Sequence, residues 1–147
     1  MSNNMYTISQ KTNRIVKATP ESKIVFEIPK TAKKWRDVAP MSSSTRNKLH
    51  NKCASAGHKE QCFLDIRKSK TGKMIFKYPI CSGVDCKVQC IGVKAAHAAT
   101  FRVENKFQKV SKTDPVEYEH AQKEIAHVQK IRREAIKILK AECMRPK

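Results

Sequence analysis

Residues 62–81 read CFLDIRKSKTGKMIFKYPIC. Two apolar, β-prone runs, Cys62–Ile66 and Met74–Tyr78, flank the polar, glycine-containing run Lys68–Lys73, and this predicts a β-hairpin. Pro79 ends the second strand, because proline has no N–H to give to a ladder. The turn carries Lys68, Lys70 and Lys73, three cations at the tip of the hairpin.

Cysteines bracket this hairpin. Upstream the spacing is Cys53-x4-His58-x3-Cys62, downstream it is Cys81-x4-Cys86-x3-Cys90, and Cys143 lies apart from both. Three states of this centre stand open. Zinc takes four thiolate or imidazole ligands in a tetrahedron. Cys53 or His58 with Cys62, Cys81, Cys86 and Cys90 supplies such a set, and His50 and His97 are spare ligands. No C-x-x-C pair is present, so the zinc signal is weaker than that of a ribbon. Disulfides joining the Cys53–Cys62 segment to the Cys81–Cys90 segment would staple the hairpin to its flanks. Four participating cysteines allow three pairings, and spacing does not choose among them. Buried free thiols, acting as small apolar side chains, are the third state. Reduced thiols are the norm inside cells, so by spacing and compartment alone zinc leads.

Further out, helices are predicted on both sides. Met41-Ser-Ser-Ser-Thr45 offers hydroxyls to the free amides of a first turn, so a short helix from Thr45 to about Ala54 is expected. It would point Leu49 inward and Arg46, Lys48 and Lys52 outward. The alanine-rich run from Cys86 to about Lys109 reads as helix. The clearest helix opens at Asp114-Pro-Val-Glu117, with an N-cap acid, a proline in the first turn and a capping glutamate. Ala121, Ile125, Val128, Ile131, Ala135, Ile138 and Leu139 recur at threes and fours as far as about Cys143. Such a helix lies across the domain or projects to pair with a second copy. His120 and His127 fall on its wetter side as surface histidines. Residues 1–22 show no sustained period and read as a polar, basic arm, followed by a short β-prone run at Lys23–Ile28. Trp35, among Lys33, Lys34 and Arg36, either stacks on a base or pins the arm to the domain, and pinning is favoured. The division is therefore a basic arm over 1–40, a cysteine-rich basic domain over 41–110 and an amphipathic helix over 111–147. The fold class is mainly α, with a small β-hairpin and a cysteine-stabilised centre held by disulfide or zinc.

Charge sets the function class. The chain has 147 residues, 31 Lys and Arg against 13 Asp and Glu, and a formal net charge of +18. Residues 1–52 carry eleven basic and three acidic side chains, and residues 53–110 carry eleven and four. Such a surface attracts polyanions. Apolar residues are 39% of the chain, so the core is modest. No apolar run reaches membrane-spanning length, and the polar start lacks a signal-peptide stretch. No membrane association and retention inside a cell, in nucleus or cytoplasm, are expected. No Gly-rich phosphate loop, H-E-x-x-H or G-x-S-x-G motif occurs, so the chain is read as non-catalytic.

Lys52-Cys53, Cys62-Phe63-Leu64, Tyr78-Pro79-Ile80-Cys81, Cys86, Cys90, Gly92 and Ala95-Ala96, with Pro40-Met41-Ser42 and Arg46 upstream, form one ordered pattern. It resembles short basic cysteine-containing proteins of the nucleocytoplasmic large DNA viruses, the giant viruses, over about residues 40–105. This chain departs by inserting residues, His58 among them, between Cys53 and Cys62. The resemblance implies a virus factory and virion as location. Those viruses typically carry a sulfhydryl oxidase, which puts disulfides level with zinc as the state of the centre. The expected function is sequence-tolerant binding of nucleic acid, double-stranded DNA in particular, in packaging or organising a viral genome. Lys33, Lys34, Arg36, Arg46, Lys48, Lys52, Lys68, Lys70 and Lys73 would meet the phosphates. The alternative is a minor capsid or virion-core protein that bridges other proteins, with a homodimer through the C-terminal helix.

Overall fold

The computed structural model describes residues 5–27, 34–55, 57, 62–83 and 86–146. Strands β1 (Met5–Ile8), β2 (Ile15–Lys17) and β3 (Ile24–Glu27) come first, then helices α1 (Trp35–Val38) and α2 (Ser43–Ser55). The hairpin follows as β4 (Phe63–Lys68) and β5 (Met74–Pro79). Helices α3 (Cys90–Gln108) and α4 (Pro115–Ile138), a π-type turn over Leu139–Cys143, and β6 (Arg145–Pro146) complete the chain.

The hairpin forms where expected. Its register sets Asp65 opposite Lys77 and Lys68 opposite Met74. Gly72 at φ +87° allows the turn, and the Ser69 hydroxyl accepts the Lys73 amide at 3.0 Å. Helix α2 is capped by Ser42, whose hydroxyl accepts the Thr45 amide at 3.1 Å, and it lays Leu49 and Cys53 on the hairpin. Helix α4 opens as its sequence dictates, with the Asp114 side chain accepting from the Glu117 amide. It runs back along α3. Contacts step in opposite directions along the two helices, from Phe107 with His120, through Thr100 with Arg132, to Cys90 with Cys143. The apolar stripe of α4 is thus used within the chain, with Ala121, Val128, Ile131 and Ala135 buried.

Sulfur holds the centre. Cys53 bonds to Cys86, Cys62 to Cys81 and Cys90 to Cys143. The first two join the two cysteine segments, and Cys53 Sγ lies 3.8 Å from Cys62 Sγ, so the bridges stack in the core. Phe63, Phe76, Ile80, Val93 and Leu139 close around them.

Four expectations are corrected. Residues 5–22 are not an irregular arm, for they hold β1 and β2, while the expected β-prone run at Lys23–Ile28 does form a strand, β3. Together with β6 these strands form an antiparallel sheet of order β2-β1-β3-β6, because each short β-branched run finds a partner elsewhere in the chain. The alanine-rich helix starts at Cys90, not Cys86: Cys86 is tied to Cys53, and Val88 is held extended by pairing with Cys81. Cys143 is not apart, since the turn after α4 brings it to Cys90. The last helical run reaches Cys143 as expected, but only Pro115–Ile138 is α-helix and Leu139–Cys143 widens to a π-type turn.

Candidate nucleic-acid interface

Most of the expected phosphate-binding residues are exposed. Lys34 and Arg36 flank the start of α1, Lys48 and Lys52 lie on the outer side of α2, and Lys68, Lys70 and Lys73 decorate the hairpin. Lys33 and His58 lie outside the described residues. Arg46 is not an outward residue. Its guanidinium donates to the Pro40 carbonyl at 2.8 Å and to the Phe76 carbonyl at 2.7 Å, which fastens α2 to the hairpin and leaves it half-buried.

Three adjoining depressions connect the cations into one band. Lys73, Lys77 and Arg46 line a hollow between α2 and β5. Lys77 and Arg46 also reach a neighbouring cavity of about 460 Å³, together with Arg36, Arg102 and Lys106. Arg102 is shared in turn with a third hollow that holds Arg14 and Lys94. The band therefore runs from the hairpin turn, past α1 and across α3, to the loop between β1 and β2.

The sequence reading missed Arg14, Lys77, Lys94, Arg102 and Lys106. Its signal was there on α3: Lys94, Ala98, Arg102 and Lys106 recur every four residues, a basic stripe with alanine where bulk would block approach. Nothing local marks Lys77 or Arg14, whose placement depends on the strand pairing.

Among the described residues four acids form ion pairs, and two of these, Asp65 and Glu124, line the central cavity of the band. Asp65 is buried and binds Arg67 at 3.0 Å, and His127 Nε2 lies 3.2 Å from its carboxylate, on the side of α4 that faces the hairpin. Glu124 pairs with Arg67 at 3.2 Å, and this hydrogen bond holds its carboxyl below the usual range. Glu104 pairs with the buried Arg132 at 2.6 Å, and Lys123 with Glu119 at 3.6 Å. Among the described residues, no carboxylate forms an ion pair with Arg14, Arg36, Lys73, Lys77, Lys94, Arg102 or Lys106.

Aromatic faces place several of these cations instead. Arg14 lies 4.1 Å over Phe101, whose ring also meets Arg132 at 3.7 Å, and Lys94 lies 4.6 Å over Tyr6. A ring orients a cation without cancelling its charge. The positive field therefore survives folding.

The six cysteines are all in disulfides, so none presents the thiolate that zinc would bind. Among the described residues, no helix is long and apolar enough to cross a membrane. Comparison with protein-family models, with curated proteins and with solved structures returned no match.

Proposed function

We propose that this protein binds nucleic acid, non-catalytically and with tolerance of sequence, through the band from Lys73 to Arg14. The observation that carries the reading is the absence of ion pairs between described carboxylates and the cations of that band; Asp65 and Glu124, which line its central cavity, are paired with Arg67 instead. Cations left in this state recruit phosphate and release its condensed counterions. The resemblance to giant-virus proteins and the three disulfides together favour packaging or organising a genome where an oxidase is present, in a virus factory and virion. A docking or pairing role for α4 would have to use its polar outer face.

Salt tests the reading. If about six phosphates are neutralised, log affinity falls against log salt with a slope near about −5. Replacing Lys77 and Arg102 together by glutamate should reduce affinity at least about tenfold and flatten that slope. A wild-type slope near zero, by fluorescence anisotropy with labelled DNA, overturns the proposal. Co-purification with capsid after nuclease digestion would favour the bridging protein instead.

A further inference from the structure

The cavity in the middle of the band does not look like a backbone contact. It is about 460 Å³, within the size range of ligand sites. Its floor on α3 is bare, because Ala95 and Ala99 stand where longer side chains would fill the space. Trp35 and Tyr78 form aromatic walls, and both are fixed. The Trp35 ring rests against α3 at Gly92, so closely that a Cβ there would lie 2.6 Å from it. Tyr78 is held at φ +57°, a left-handed conformation costly for a tyrosine. Strain of this kind persists where the surroundings over-determine a side chain, and it clusters at binding sites. Around this aromatic interior stand Arg36, Lys77, Arg102 and Lys106, and the two carboxylates in its lining, Asp65 and Glu124, are both paired with Arg67.

A cavity with two aromatic walls, carboxylates held by Arg67 and four cations without an ion pair among the described residues has the complement of a nucleotide: a planar base inside, phosphate outside. We infer that the cavity is a base pocket, which receives one unpaired base while the flanking band holds the phosphates. The inference rests on the nucleic-acid reading above and sharpens it. A base inside a duplex is paired and stacked and cannot enter, so the preferred polyanion is single-stranded. Sequence tolerance is retained, since stacking on a ring is open to every base.

Trp35 is the chain's one tryptophan and lies on the cavity wall, so its fluorescence reports occupancy. The oxidised full chain is titrated with a deoxythymidine oligonucleotide of about a dozen residues and with a duplex of the same length. Wild type should bind the single strand more tightly and show Trp35 quenching with it alone. Ala99→Leu fills the slot without changing charge. It should weaken single-strand binding roughly tenfold, abolish the quenching and leave duplex binding unchanged. Thermal melting and an intact mass with three bridges confirm that the variant folds. If Ala99→Leu binds and quenches as wild type does, the pocket is overturned and the phosphate band stands. If neither nucleic acid binds with a salt dependence, the functional reading fails. A titration with adenosine monophosphate then decides the cavity alone: chemical-shift changes at Trp35 and Ala99 support it, and their absence overturns it.

Discussion

Gly92 shows how one missing side chain positions a wall of the cavity. A Cβ at this position would sit 2.6 Å from the Trp35 ring and 2.9 Å from the Ile80 carbonyl oxygen. That oxygen is not free to shift, because it accepts the Gln89 amide at 2.8 Å. Alanine would gain about 1 kcal/mol of helix propensity over glycine. Overpacking a fitted contact costs about 1–3 kcal/mol. The clash wins, because one of its two partners is backbone. Gly92→Ala should therefore lower stability by up to about 2 kcal/mol, read from the urea midpoint. Trp35 emission should shift to the red as the ring is displaced toward water. Arg46 illustrates a different lesson at this scale. Its sequence neighbours made it one more outward cation, yet two backbone carbonyls claim its guanidinium. Burial also pushes its pKa down. A charged side chain near a strand edge is as readily a structural donor as a ligand for phosphate.

Among the elements, the three bridges do unequal work. Cys62–Cys81 closes a loop nested inside the one that Cys53–Cys86 already closes. Cys90–Cys143 spans 53 residues and encloses α3, α4 and their connection. Loop-closure entropy assigns a bridge of that span about 4 kcal/mol, and less to one formed inside an existing loop. Replacing Cys90 and Cys143 together by alanine should cost about 2–4 kcal/mol in chemical denaturation. The same change at Cys62 and Cys81 should cost less. A larger loss at the inner pair would refute this ranking. The elements legible in the sequence were those with local signals: the glycine turn of the hairpin, and the Asp114–Glu117 cap with its apolar stripe. The sheet of β1, β2, β3 and β6 was not legible, because its strands are two to four residues long and its last one comes from the far end of the chain. The partner of Cys143 was hidden for the same reason. Spacing marked a cysteine-braced centre, but only the path of α4 chose the third bridge.

At the scale of the molecule, a buried histidine is one of the links between the N-terminal sheet and the helices. His97 is buried on α3, and its Nε2–H donates to the Asn13 carbonyl at 2.6 Å. Burial pushes its pKa down, and nearby Arg132 and Arg14 add to this, against the pull of the Asn13 hydrogen bond. The folded state therefore holds His97 neutral where the unfolded chain would protonate it. Its contribution is fully present above about pH 6.5 and declines as pH falls below that value. Glu124, with its pKa lowered by Arg67, adds a loss of the same sign at lower pH, below the ordinary glutamate range. Wild-type stability should fall as pH drops below about 6.5, and His97→Gln, which keeps a donor for Asn13, should flatten the onset of that fall. An unchanged slope would show that the decline comes from other groups.

Strand β6 lies beside β3, and β3 beside β1, so the outermost described segments of the chain share one sheet. Behind β6 stands the Cys143 bond to Cys90. Tension applied between these two outer strands would peel apart a few ladder bonds and then stop. The load would pass through sulfur to the root of α3, leaving the long stretch of helix from there to Cys143 slack and unable to unspool.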